Sequence, residues 1–273
     1  MPVIEIDSAR VDYAARSGLP LPSGGGEARS LLFLHGGFGS SSQLWTSTMA
    51  ALPPQYHAYA VNNFVRSDPP PLGYNVTEFA RRAGGFIRAL DLRRPVLAGH
   101  SMGGVVCLLT ALMYPERVGG LVLVCTGASM RDHELGRQLL AEMKASTAPE
   151  QTIRSVSTHW FHCPPPPGFF DEYVALAIQA PWRALIDVQE SLLATDLEDR
   201  LGEIEVPTLV VYGGHDRGRG PHNAETLLRG IHGSRAAPMP ASGHSPMLET
   251  PDAFNAALHQ FLETDVGSLE DTR

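Results

Sequence analysis

The chain reads Gly99-His100-Ser101-Met102-Gly103-Gly104 between two apolar segments, residues 95–98 and residues 105–114. A strand that ends on a serine flanked by glycines and continues at once as a buried helix is typical of a nucleophile elbow. Such a tight turn holds the serine in an unfavourable backbone conformation, and glycines remove side chains that would collide there. The alternative is a glycine-rich strand–turn–helix without chemistry, so the interpretation requires partner residues elsewhere in the chain.

Strands alternate with helices on both sides of this turn. Apolar runs predict strands at residues 30–34, 58–61, 95–98, 121–125, 206–212 and 236–239, and alternation predicts a β-hairpin over residues 3–15. Helices are predicted at residues 42–51, 76–90, 223–229 and 251–262, the second with Thr77 as its N-cap. This alternation predicts an α/β fold: a doubly wound, mostly parallel sheet flanked by helices, with the hairpin at one edge.

The alternation stops between residues 129 and 200, where helical segments surround a proline run and no buried strand is predicted. We interpret residues 129–200 as a helical cap inserted into the core. Residues 1–128 and 201–273 then form that core.

Composition excludes several classes of protein. The chain has 273 residues, 43% hydrophobic and 18% charged, and a net charge of −8. These values describe a globular protein, and the absence of a basic stripe argues against nucleic-acid binding. The first residues have no signal-peptide pattern and no apolar run is long enough to cross a membrane, so a cytoplasmic protein is expected. Oligomeric state cannot be read from the sequence.

A serine nucleophile needs a base to take its proton and a carboxylate to orient that base. Asp216 follows the predicted strand at residues 206–212, and His244 follows the last predicted strand. Ligands in doubly wound sheets bind beyond the carboxyl ends of the strands, and serine–acid–histidine is the chain order expected there. Asp132 and Glu225 are rival acids, but neither directly follows a predicted strand.

Gly99–Gly104, the segment His35-Gly36-Gly37-Phe38-Gly39 and the later segment Gly-His-Ser-Pro at residues 243–246 resemble the α/β-hydrolase superfamily. Within it, the chain is similar to the capped esterases, lactone hydrolases, carbon–carbon hydrolases and haloperoxidase-like members. The resemblance implies Ser101 as nucleophile, His244 as base and Asp216 as acid. It also implies an oxyanion hole made by the backbone N–H groups of Met102 and Gly37, with Phe38 as the alternative to Gly37.

The resemblance is weaker at residues 62–68, where glycines expected before an Arg-Ser-Asp triplet are missing and the loop is expected to be rearranged. No spacing typical of a metal site occurs, and His35 and His100 are expected to be structural. Glu249 is expected to cap or pair structurally behind the histidine loop. Aromatic residues either form a small core within the cap or cover the pocket. The candidates for substrate binding are Phe38, His159, Trp160, Phe161, Trp182 and His215.

These features predict a serine hydrolase that cleaves a small-molecule ester, lactone or related carbonyl compound and requires no metal or organic cofactor. A carbon–carbon bond hydrolase and a cofactor-free perhydrolase would use the same three residues. A ligand receptor on the same fold, with little or no turnover, is the alternative from another class.

Overall fold

The computed structural model describes residues 1–7, 9–18, 29–38, 41–64, 73–131 and 133–266. Its eight strands form one sheet in the order β1-β2-β4-β3-β5-β6-β7-β8. The strands are β1 (Val3–Ile6), β2 (Ala9–Arg16), β3 (Arg29–Leu34), β4 (Tyr56–Val61), β5 (Val96–His100), β6 (Gly120–Val124), β7 (Thr208–Gly213) and β8 (Arg235–Met239). β1 and β2 are antiparallel to their neighbours, and every other pairing is parallel. The predicted sheet, with its hairpin at one edge, is confirmed.

Helices cover both faces of this sheet. They are α1 (Ser41–Ala51), α2 (Val76–Ala89), α3 (Met102–Met113), α4 (Glu134–Ala145), α5 (Pro149–Thr158), α6 (Phe169–Ala177), α7 (Trp182–Ala194), α8 (Pro221–Gly230), α9 (Pro246–Glu249) and α10 (Pro251–Phe261). Successive residues of β3 point to opposite faces: Leu32 packs in the core with α2, α3 and α8, and Phe33 packs in the core with α1 and α10. The sheet is therefore the middle layer of three.

The N-cap of α2 differs from the prediction. Asn75, not Thr77, caps this helix, because its side-chain oxygen accepts a hydrogen bond from the Glu78 N–H at 2.8 Å. Thr77 lies inside the first turn. The expected rearrangement at residues 62–68 falls largely on residues 65–68, which lie outside the described residues.

Four helices, α4 to α7, lie between β6 and β7. The two ends of this stretch meet, because Ser129 and Asp196 form an isolated antiparallel bridge and the Leu197 N–H donates to the Ala128 carbonyl at 2.9 Å. Within the part of the chain that the structure describes, no helix is both long and apolar enough to span a membrane.

The turn after β5 is packed so closely that only glycine fits. A Cβ on Gly99 would lie 2.2 Å from the Gly103 carbonyl oxygen, and a Cβ on Gly103 would lie 2.4 Å from the Leu34 carbonyl oxygen. Both obstacles are backbone atoms, which cannot move without displacing a strand or a helix. The glycines therefore allow α3 to begin directly against β3 and β5.

We expect Gly103→Ala to lower the free energy of unfolding by about 3 kcal/mol or more, because the new methyl group overlaps the backbone of β3. Urea denaturation measures this change. Gly202→Ala is the control, since a Cβ there would meet no atom within 4 Å. Equal, small changes in both variants would contradict the close packing.

Candidate active site

Ser101 lies between the carboxyl end of β5 and the first residue of α3, in a strained conformation. Its φ is 52° and its ψ is −116°, which is uncommon for a residue with a side chain. Two hydrogen bonds hold this conformation: the Ser101 N–H donates to the Val124 carbonyl at 2.8 Å, and the Thr126 hydroxyl donates to the Ser101 carbonyl at 2.7 Å. Strain of this kind is retained where the surroundings enforce it, and it is common at functional sites.

Asp216 and His244 meet at the same edge of the sheet. His244 Nδ1 lies 2.8 Å from Asp216 Oδ2, and the Asp216 side chain has no exposed surface. The other carboxylate oxygen accepts the N–H groups of Gly218 and Arg219 at 2.8 and 2.9 Å. Burial opposes ionisation of Asp216, but His244 and these N–H groups outweigh it and hold the pKa of this carboxyl well below its usual value. Asp216 is therefore a carboxylate at neutral pH, and His244 carries its proton on Nδ1.

His244 is held by its backbone as well as by its ring. Its N–H donates to the Trp160 carbonyl at 2.8 Å, and its carbonyl accepts a hydrogen bond from His100 Nε2 at 2.8 Å. Burial, followed by the proximity of His244, lowers the pKa of His100 to about 3, so this ring is neutral. Among the described residues, no hydrogen bond joins the Ser101 hydroxyl to His244. Such contacts are often long without substrate and tighten when it binds.

Glu249 fastens the histidine loop to the stretch that follows α5. One carboxylate oxygen accepts the N–H groups of Gly243, His162 and Cys163 at 2.9, 2.8 and 2.9 Å, and the other accepts the Ser245 N–H at 3.0 Å. A carboxylate can accept several such bonds at once. Glu249 therefore fixes both sides of His244 and links them to residues 162–163.

His35 orients the loop after β3. Its Nδ1 donates to the Gly36 carbonyl at 2.6 Å, and its Nε2 accepts the Asn63 N–H at 3.0 Å. Burial lowers the pKa of His35 to about 4, so the ring is neutral and both nitrogens have partners. Gly37 and Phe38 follow on this loop, and both line the same cavity as Ser101 and Met102.

This cavity has a volume of about 370 Å³, and Ser101, Asp216 and His244 are among the residues that line it. Most of its remaining wall comes from α4, α5 and α7, including Leu139, Val156 and Val188. The wall is largely apolar, as in most small-molecule sites.

The six sequence candidates for substrate binding separate into two groups. Phe38, His159 and Trp160 line the cavity. The described lining does not include Phe161, Trp182 or His215. Phe161 packs on two phenylalanines of α6, and the indole Nε1–H of Trp182 donates to the Met143 carbonyl at 3.2 Å. His215 stacks on His162 with ring centroids 3.6 Å apart. These three side chains pack against the protein instead of facing the cavity.

Sequence reasoning missed most of the cavity wall, including two buried or half-buried basic residues, Arg219 and His133. Arg219 is buried, and His133 donates from Nε2 to the Gly218 carbonyl at 2.6 Å and accepts the Gly136 N–H on Nδ1 at 2.8 Å. Neither residue belongs to a sequence motif. The one indication is that Arg219 comes three residues after Asp216. Of the rival acids, Glu225 is exposed on α8, and Asp132 lies outside the described residues.

One group of possible metal ligands occurs in the described ranges: Cys125, Asp216 and His244, with ligand atoms within 4.8 Å of one another. Burial raises the pKa of the Cys125 thiol well above its usual value, so it is protonated at neutral pH and donates to the Gly243 carbonyl at 3.8 Å. The group therefore offers no thiolate ligand, and Asp216 and His244 are hydrogen-bonded to each other.

Residues 31–257 match the alpha/beta hydrolase family, so the chain belongs to this family and is a hydrolytic enzyme. A pimeloyl-(acyl-carrier protein) methyl ester esterase of Neisseria meningitidis is 27% identical over 246 residues, covering 87% of this chain and 94% of the relative. The 2-hydroxy-6-oxo-6-phenylhexa-2,4-dienoate hydrolase of Comamonas testosteroni is 29% identical over 266 residues, covering 87% and 88%. An esterase structure from Exiguobacterium antarcticum superimposes with a TM-score of 0.84 at 22% identity, covering 96% and 99%, and shows the shared fold.

The lowered pKa of His35 predicts how stability changes with pH. Between about pH 4 and 6.5 the unfolded chain binds this proton and the folded protein does not, so stability is lost as pH falls through this range. We expect His35→Gln to reduce the loss of unfolding free energy between pH 7 and pH 5 by about 2 kcal/mol. Urea unfolding of the wild type and the variant at pH 7 and pH 5 measures this difference in unfolding free energy.

His222→Gln, at an exposed position on α8, is the control and should show the full wild-type loss. A wild-type pH dependence in His35→Gln would contradict the burial of a neutral His35.

Proposed function

We propose that the protein is a serine hydrolase for small-molecule esters or lactones, with Ser101 as nucleophile, His244 as base and Asp216 as the orienting acid. The observation that carries the proposal is that the strained Ser101 shares a cavity with a histidine whose Nδ1 is bound to a buried carboxylate. The tautomer fixed by Asp216 leaves His244 Nε2 free to accept a proton. A base so oriented is what a serine hydroxyl needs to become a nucleophile.

In the proposed reaction, Ser101 Oγ attacks the substrate carbonyl carbon as His244 Nε2 takes the hydroxyl proton. The negative charge that develops on the carbonyl oxygen is held by the backbone N–H groups of Met102 and Gly37. Met102 begins α3, so its N–H has no partner within the helix. His244 returns the proton to the leaving alkoxide, and an acyl group remains on Ser101. A water that loses a proton to His244 then attacks the acyl carbon, and His244 passes this proton to Ser101 Oγ as the acid leaves.

We further propose that residues 129–200 act as a cap over this site. Three observations support this: α4 to α7 lie between β6 and β7, the ends of the stretch meet at the Ser129–Asp196 bridge, and α4, α5 and α7 supply most of the cavity wall. A cap that covers the reacting atoms excludes water and selects substrates.

Similarity to the esterase of Neisseria meningitidis, which aligns with 87% of this chain, supports ester cleavage as the first candidate reaction. Carbon–carbon bond hydrolysis is the second candidate, because a dienoate hydrolase of Comamonas testosteroni is similar over the same share. Both reactions would use Ser101 and His244, so substitution of these residues cannot distinguish them. Activity on a panel of esters, lactones and dienones separates the two reactions.

We expect Ser101→Ala to lower kcat for a 4-nitrophenyl ester by at least about 10,000-fold, because the variant has no nucleophile. Release of nitrophenolate measures the rate. A fluorophosphonate should label the wild type at Ser101, as located by mass spectrometry, and should not label the variant.

Ser47→Ala, at an exposed position on α1, is the matched control and should keep wild-type rate and labelling. Full activity in Ser101→Ala would refute the mechanism.

A further inference from the structure

Arg219 places a buried positive charge in the wall of the cavity. Only 4% of its surface is exposed, and it lines the cavity together with Ser101. Its backbone N–H binds Asp216, and its Nη1 donates to the Ser129 carbonyl at 2.8 Å. The guanidinium therefore lies between the segments that follow β6 and β7.

This charge has no ion-pair partner in the described part of the chain. No carboxylate oxygen there lies within 4.0 Å of the Arg219 guanidinium, and Ser129 supplies its one hydrogen-bond acceptor. Asp216 attracts Arg219 electrostatically, but its oxygens already accept two N–H groups and the His244 imidazole. A guanidinium has five N–H donors, so most of those on Arg219 are unused.

Among the described residues that line the cavity, no other group neutralises this charge. Burial lowers the pKa of Arg219 to about 10, so it remains charged at neutral pH. His133, beside it, is neutral because both of its ring nitrogens are engaged and burial lowers its pKa. Glu142 and Arg217 are the other charged residues of the lining outside the triad, and both are exposed. A buried charge without a partner is costly, and an anion that enters the cavity relieves that cost.

We propose that Arg219 binds a carboxylate of the substrate, so that the enzyme acts on esters or lactones that also carry a free carboxylate, such as monoesters of dicarboxylic acids. This inference rests on the proposed function of Ser101. Arginine suits the task, since its planar fork matches two carboxylate oxygens. The apolar side chains of Leu139, Val156 and Val188 would pack on the carbon chain between the carboxylate and the reacting ester. The Arg219 N–H bond to Asp216 fixes the carboxylate site relative to the catalytic histidine.

The test compares two matched substrate series. One series consists of mono-4-nitrophenyl esters of the dicarboxylic acids from succinate to adipate, and the other has a terminal carboxamide in place of the carboxylate. We expect the wild type to have a higher kcat/KM for the acid than for the amide of the same length, at the chain length that spans from Ser101 to Arg219. Arg219→Met should lower kcat/KM for that acid by about 10- to 100-fold, mainly through KM, and change the amide less than about threefold.

Arg229→Met, an exposed arginine on α8, is the control and should leave both series unchanged. Equal loss on acid and amide would assign Arg219 a structural role and overturn the proposal, as would no loss at all. Fluorophosphonate labelling of Ser101 in Arg219→Met shows whether the hydrolytic site itself is intact, which separates this result from failure of the proposed function.

The wild type provides a second measurement that does not depend on the folding of a variant. The free dicarboxylate should compete with a neutral 4-nitrophenyl ester, and the corresponding diamide should inhibit at least about tenfold more weakly. Equal inhibition by the two compounds would overturn the proposal.

Discussion

The buried carboxylate of Asp216 is the interaction on which the rest of the site depends. A negative charge without exposed surface must be met by hydrogen bonds, and here the loop after β7 supplies two N–H groups and His244 supplies the third donor. The same carboxylate therefore shapes its own loop, sets the tautomer of the imidazole and lies beside the one buried arginine of the cavity wall. These features follow from the hydrogen bonds that the buried Asp216 carboxylate requires.

The position of His244 is determined by more than this carboxylate. Glu249 binds the backbone on either side of it, and Trp160 accepts its N–H. Both contacts reach residues that follow α5, so the loop that carries the proposed base is joined to the helices above the sheet. Backbone hydrogen bonds of this kind define position more narrowly than apolar packing, because they require both distance and direction.

The fold and the proposed triad could be predicted from sequence because their signals are local. Buried parallel strands are continuous apolar runs, and Ser101, Asp216 and His244 each follow one of them. The cavity wall could not be predicted in the same way. Trp160 and Phe161 are adjacent aromatic residues, and only the packing of α5 and α6 decides that Trp160 faces the cavity while Phe161 does not. Arg219 carries no motif, so its burial is visible only in three dimensions.

The bond between the His244 N–H and the Trp160 carbonyl couples the proposed cap to the loop of the proposed base. If residues 160–163 moved away from the core, they would pull on the loop that holds the imidazole and detach Glu249 from its partners. A movement of the helices on this side would therefore also displace the proposed proton acceptor. The start of α4 is joined in a similar way to the loop of the proposed acid, because His133 donates to the Gly218 carbonyl. The loops of the proposed base and the proposed acid are therefore both fastened to the segment proposed as the cap.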